Sequence, residues 1–524
     1  MSDKMRPVPF THLLHQYITE YKVSGKLAGV PVYTNNAHIP IGPAAGPHTQ
    51  LAENIVAAYA AGAEYMELKT VQVLEGEELG IRKPCIYAGH EVFNTEWSTE
   101  LTVAQASAEY IKAYLLIAIL SKILKLTDVS CIKFVCSVGY DLKGIQSQKV
   151  DRFLNEMKSA SNSDEWKRDI EYVKEHISDF PGLTYKDIEE IENNDCISDT
   201  VTLSTLHGCP ASEIGEITKY LLCEKGFNTF IKMNPTLIGE EKVRNIWKNK
   251  GYKFEPCKDV FEYDLKLDEA VNLIKECREQ AKKCGKEFGV KFTNTFPVMI
   301  QDSELAGDRM YLSGAALYPI SIAATAELMS KLNESDMEDD SDSSSVHISY
   351  SGGADIRNIK ELLLTGMKPV TMSSILLQPG GYKNITSLLK ELERQKVSSE
   401  MLPENWNLQA FSELAKSAET DERYDYKPTR IFERQKDYDK YCAKCNNCVD
   451  VCPNRANIRI EKNGKSYVLH QEALCNSCGC CVHHCIMGHV PYLDKFTIYE
   501  GDRTEDLPYD VRELLVQAAK NGLW

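Results

Sequence analysis

Along the first 395 positions, apolar residues come in short unbroken runs, not in polar–apolar alternation. Eight runs stand out: "IPIGPAAG" from Ile39, "YMELKT" from Tyr65, "CIKFVCSVGY" from Cys131, "TVTLST" from Thr200, "TFIKMNP" from Thr229, "GVKFTNT" from Gly289, "VHISYSGG" from Val346 and "KPVTMSS" from Lys368. Each ends in small or polar residues and leads into a stretch with helical periodicity. Continuous apolarity with helices between is the pattern of a parallel sheet covered on both faces. Eight such units predict an α/β fold, a (β/α)8 TIM barrel within residues 1–395. An open doubly wound sheet is the competing arrangement. It is disfavoured because no G-x-G-x-x-G follows any of the runs.

Two polar excursions interrupt the pattern. Residues 145–199 are charge-rich and predict surface helices, and the acidic, Ser-rich 333–345 has nothing to bury and predicts a mobile loop. Residues 396–440 read as a helical linker to a C-terminal module, 441–524. The run Ala113–Leu120, between Lys112 and Lys122, is too short to span a bilayer and reads as the buried stripe of a helix.

Composition adds little to this picture except by exclusion. A net charge of −16 over 524 residues argues against nucleic acid as a partner. No apolar leader opens the chain, so the expected location is cytoplasmic, without a membrane. Of 18 cysteines, nine lie between Cys442 and Cys485 and the other nine are scattered over the first 284 residues. The scattered ones are expected to be reduced.

The clustered cysteines carry chemistry. Cys442-x2-Cys445-x2-Cys448-x3-Cys452-Pro453 is a two-cluster ferredoxin run, followed by Cys475, Cys478, Cys481 and Cys485 at the same spacing. In such pairs the fourth cysteine of each run serves the other cluster. One [4Fe–4S] centre is therefore assigned Cys442, Cys445, Cys448 and Cys485, and a second Cys475, Cys478, Cys481 and Cys452. Paired zinc sites use separated C-x2-C pairs instead. Cys480 is surplus.

Clusters pass single electrons, so a two-electron centre must accompany them. Without a nicotinamide fingerprint, flavin is the expected one. Barrel enzymes bind phosphate at the loops after the seventh and eighth strands. Here these loops offer Ser351, Gly352 and Gly353, and Ser373 and Ser374.

The motifs "GPAAGPHTQ", "ELKTVQ", "FNTEWSTE", "LSTLHGCP", "FIKMNPTL", "NTF", "YLSGAALYPIS", "ISYSGGA" and "VCPNRAN" make the resemblance specific. The barrel resembles the flavin domain of the dihydroorotate and dihydropyrimidine dehydrogenase superfamily. The whole chain is similar to FMN-binding proteins grouped as selenate reductase subunits, with a urate reductase-like activity as the sharpest expectation. The resemblance implies FMN beside Lys69 and Lys232, close backbone approach at Ala44 and Ala45, and a phosphate site completed by Ser313 and Gly314. It implies a substrate loop with Asn94 and Glu96, joined by Asn294 and Thr295. Amides and a carboxylate suit a ring rich in N–H and C=O groups. Relatives place a proton-donating cysteine in an L-S-C-P loop. This chain has Thr205 there, with His207 and Cys209 nearby, so all three remain candidates.

The expectation is a flavin- and iron–sulfur-dependent reductase of a nitrogen heterocycle. Its donor would be a ferredoxin or a separate NAD(P)H-oxidising flavoprotein, and the resemblance suggests a homodimer. The rivals are an electron-transfer subunit of a larger reductase, selenate reductase included, and a pyrimidine reductase.

Overall fold

The computed structural model describes residues 5–96, 98–204, 209–302, 304–338, 346–433, 442–462 and 465–498. Each of the eight apolar runs carries one strand: β1 Ile41–Pro43, β2 Tyr65–Glu67, β3 Lys133–Val138, β4 Thr200–Leu203, β5 Asn228–Met233, β6 Phe288–Phe292, β7 His347–Tyr350 and β8 Val370–Met372. The strands are parallel neighbours in the order β1-β8-β7-β6-β5-β4-β3-β2. Across the remaining gap, between β1 and β2, the Glu64 N–H donates to the Ile41 carbonyl at 3.2 Å. Gly42 permits this nearly closed barrel, because a Cβ there would sit 1.7 Å from the Tyr65 carbonyl oxygen.

Helices cover the outside, and one explains the polar excursion. Helix α1, Val103–Leu124, is apolar on nearly every side and buries all of Ala113–Leu120. It is long and apolar enough to cross a bilayer, yet it lies inside the protein. The helices Gln148–Lys158, Asp164–Glu175 and Tyr185–Glu192 of the excursion lie against it. Each is amphipathic and turns residues such as Phe153, Trp166 and Ile188 inward. Thr102 starts α1 with a capping box, its Oγ1 accepting from the Gln105 N–H at 3.2 Å.

Three expectations change. Residues 333–338 are not loop: they continue helix α2, Tyr318–Glu338, where buried Asp336 takes two hydrogen bonds from Arg278 at 2.6 and 2.9 Å. Residues 339–345 lie outside the described residues. Helix α3, Leu408–Thr420, is no free linker, because Phe411, Ala415 and Ala418 form one apolar stripe that packs on α2. Beyond it, Tyr424 packs against Tyr318, the rings tilted by 32° with centroids 4.6 Å apart. Cys223 and Cys284, expected to be reduced, are joined in a disulfide.

Two further units sit at the C-terminal mouth of the barrel. The loops after β2 and β6 build an antiparallel sheet of Phe296–Met299, Arg309–Ser313, Val92–Asn94 and Ile86–Ala88, in that order. The cysteine module has antiparallel strands Asn457–Lys462 and Lys465–Gln471, with Phe496–Ile498 parallel to the second. It docks on this sheet, where the N–H groups of Cys85 and Ile86 donate to the Cys478 carbonyl at 3.0 and 2.8 Å.

Candidate active site

A cavity of about 290 Å³ opens at the barrel mouth. Its floor is ionic, although a barrel interior is ordinarily apolar. β6 sets Lys291 directly beside Lys232 of β5, and Glu67 of β2 lies between them. The Glu67 carboxylate is 3.2 Å from Lys232, bonds Lys291, and accepts the Ala45 N–H at 3.0 Å. Burial works to raise the Glu67 pKa, but the two ammonium groups prevail and hold it down, at about 2. Lys69 lies 3.0 Å from Glu96 on the adjoining wall. Buried Lys69 and Lys291 and partly buried Lys232 thus meet two buried carboxylates, an arrangement completed by an anionic or electron-rich guest.

The other end suits a phosphate. Ser313, Gly314, Ser351, Ser373 and Ser374 line it together. The Ser374 hydroxyl donates to Ser313 Oγ at 3.0 Å. Gly314 has φ +94°, and a Cβ on Gly353 would meet the Gly314 carbonyl oxygen at 2.5 Å. Gly352 and Gly353 are not among the residues lining the cavity; Gly353 lets its loop close on the Gly314 loop, and Gly352 lets it close on Ser321 of α2. Glycine-lined backbone and hydroxyl donors fit a phosphate group, and the lysine floor fits the electron-rich ring of a flavin.

Ala44, Ala45, Lys69, Lys232, Asn94, Glu96, Asn294 and Thr295 all face the same cavity. Asn294 donates to Asn234 Oδ1 at 2.8 Å, and its own Oδ1 lies 3.3 Å from the Ser204 hydroxyl. The proton-donor candidates fare differently. Thr205 and His207 lie outside the described residues. Cys209 does not line the cavity: its thiol points to Glu213 Oε2 at 3.8 Å, and burial and that carboxylate push it up to about 12.

In the cysteine module, Cys442, Cys445, Cys448 and Cys485 line one small cavity with Val468 and Ile486. Cys452 is drawn instead towards Cys475, Cys478 and Cys481. The fourth cysteine of each run therefore sits with the other run. Lys495 Nζ donates to Cys442 Sγ at 3.2 Å, and the Ser477 N–H to Cys475 Sγ at 3.4 Å. Two sets of four thiols, with N–H donors aimed at sulfur, form a donor set suited to iron–sulfur clusters. Cys480 belongs to neither set. Its buried thiol faces the carbonyls of Val451 at 3.5 Å and Leu377 at 3.8 Å, tying the module to the turn Ser374–Leu377.

The family model described as "Oxidoreductase YgfK, N-terminal TIM-barrel domain" matches residues 17–426. The chain belongs to this family. The YgfK proteins of Escherichia coli K12 and O157:H7 are each 38% identical over 418 residues, covering 75% of this chain. The chain spans 39% of the length of these relatives. Among solved structures, DHODH from Eimeria tenella in complex with ferulenol is similar over 77% of this chain and 95% of that one, at 14% identity and TM-score 0.41.

The YgfK-family barrel also brings residues to its cavity that the sequence reading missed. Arg309 and Tyr311 reach it from the rim strand Arg309–Ser313, and Arg309 donates to Asp259 at 2.7 Å. Thr70, Ser204 and Thr293 line it as well. The alternation in "DRMYLS" was a period-2 signal for the rim strand, but nothing local indicated which sheet it would join.

Proposed function

We propose that this YgfK-family protein reduces a nitrogen heterocycle, a purine such as urate, using FMN and two [4Fe–4S] clusters. The observation that carries the reading is one cavity with three distinct regions. A lysine–carboxylate floor and a serine–glycine end suit FMN, while Asn94, Asn294 and Thr295 offer donors and acceptors to a planar amide-rich ring. When bound, the flavin supplies hydride transfer, and the clusters supply single electrons.

The chain's own residues bind and orient. Lys232 and Lys69 favour negative charge at the floor, and Glu67 fixes Lys232, Lys291 and the Ala45 backbone together. Asn294, held by Asn234 and Ser204, presents a set amide geometry to the ring. The thiol set containing Cys478 lies against the rim strand Ile86–Ala88, whereas Cys445 of the other set is exposed. The exposed set would hold the cluster that accepts electrons from an external ferredoxin or NAD(P)H-oxidising flavoprotein. A homodimer and a cytoplasmic location belong to the same proposal.

The test is anaerobic. Protein reduced by dithionite is mixed singly with urate, xanthine, uracil or selenate. Rapid reoxidation by a purine, with loss of its ultraviolet band, supports the reading. Reoxidation by selenate or a protein partner alone defeats it in favour of an electron-transfer subunit.

A further inference from the structure

With Cys209 turned away, the described residues leave few proton sources at the cavity. Glu67 is held ionised by two lysines. Burial raises the Tyr311 pKa further, so its phenol releases a proton less readily. Arg309 is paired with Asp259. Glu96 is different: it lines the cavity, is 1% exposed, and neither carboxylate oxygen accepts an aligned hydrogen bond, although Lys69 lies 3.0 Å away.

Directly behind Glu96 is a second carboxyl. One oxygen each of Glu96 and Glu100, with Cys85 Sγ, lie within 4.8 Å of one another. Glu100 bonds Lys83, and its Oε1 accepts from Asn476 of the cysteine module at 2.9 Å. Gln50 accepts the Glu100 N–H at 3.0 Å, and Lys83 also donates to Cys85 at 3.3 Å. An ammonium therefore already occupies the place a bound cation would take. The titratable groups facing Glu100 are Glu96, Lys83 and Cys85, with Lys69 beyond Glu96.

We propose that Glu96 and Glu100 share one proton, that Glu96 delivers it to the ring being reduced, and that Glu100 resupplies Glu96. This rests on the heterocycle-reductase reading above. The ring gains a hydride at one atom and a proton at its neighbour, so one ring double bond is saturated, C=C to CH–CH as at the ring fusion of urate or C=N to CH–NH in other heterocycles, and the carboxyl pair is left one proton short until solvent refills it. Two carboxylates this close do not both ionise readily. Burial, then Glu96, pushes Glu100 up, to about 8, so the pair holds its proton at neutral pH. Negative charge developing in the cavity draws the shared proton from Glu100 towards Glu96. Glu96 is thus the catalytic residue and Glu100 a positioning residue acting through it.

The test has two arms. Infrared spectra of the purified protein, titrated from pH 6 to 10, report protonated carboxyls without any turnover. Glu53 and Asp169, each pushed up to about 7 by burial, contribute too, so the wild-type minus Glu100→Gln difference is read. A difference band disappearing near pH 8 is expected. In the second arm, dithionite-reduced protein is mixed with urate. Glu96→Gln should lower the rate by ~10²- to 10⁴-fold, the usual span for a general acid, with flavin content unchanged. Glu100→Gln should lose the limb of the pH–rate profile near 8, and Glu100→Asp should restore it. No difference band, or a Glu96→Gln rate close to wild type, overturns the proposal. A chain that binds no flavin but keeps the band defeats the reductase reading and leaves the shared proton standing.

Discussion

Replacing Glu67 by glutamine removes the one carboxylate between Lys232 and Lys291. The structure sets the size of the effect. Glu67 is fully buried, and its drop from the ordinary 4.5 to about 2 corresponds to roughly 3 kcal/mol at ~1.4 kcal/mol per pKa unit. Breaking a buried ion pair by removing one partner costs about 3–5 kcal/mol. Two cations within one site could exceed that, but burial already lowers the Lys291 pKa, so Lys291 can shed its proton and limit the loss. Glu67→Gln should therefore destabilise the barrel by about 3 kcal/mol at pH 7. The assay is denaturant unfolding followed by tryptophan fluorescence, with buried Trp247 reporting on the barrel. The sign of the pH effect is fixed as well. A carboxyl with a depressed folded pKa stabilises fully above 4.5 and loses that contribution as pH falls towards 2. The variant should lack this acid-side loss. Glu67→Leu combined with Lys232→Met and Lys291→Met should recover much of the stability, since replacing all three charges leaves none unpaired and avoids the desolvation cost. A Glu67→Gln loss below ~1 kcal/mol, the value of an exposed pair, would refute the account of the floor.

Glu100 should act in the opposite direction. Its raised pKa stabilises the fold below 4.5 and loses that contribution as pH rises towards about 8, so unfolding curves of Glu100→Gln should show a flatter pH dependence across that window. Gly353→Ala forces a Cβ to 2.5 Å from the Gly314 carbonyl oxygen and adds strain at φ +73°; flavin retention after gel filtration should fall, while iron content stays constant. Cys481→Ala should lower the iron bound per chain, whereas Cys480→Ala should leave it unchanged, as colorimetric iron assays will show.

Local pattern determined more than the fold class. Strands buried on both faces must be apolar at successive positions, so all eight barrel strands were visible as unbroken runs. The cysteine spacing marked the donor set, because ligands to one centre must lie close along a turn. Asn294 and the serine–glycine loops were legible as polar residues at strand ends, where a barrel gathers its functional groups, whereas Asn94 and Glu96 were expected from the family resemblance alone. Tertiary structure decided what depends on residues distant in sequence. The pairing of Lys232 and Lys291 across Glu67 comes from barrel register, and the rim strand that carries Arg309 and Tyr311 finds its partners only after two loops meet. Asp336 reads as loop until Arg278 offers it a buried partner, and Cys209 reads as a proton donor until its thiol is seen beside Glu213. Glu96 and Glu100 are separated by three residues in sequence, but their shared environment joins Lys69 of a barrel strand, Lys83 of a loop and Asn476 of the cysteine module. Periodicity encodes whether a residue is buried; which charges are buried together is set by packing, and that decides the chemistry of the site.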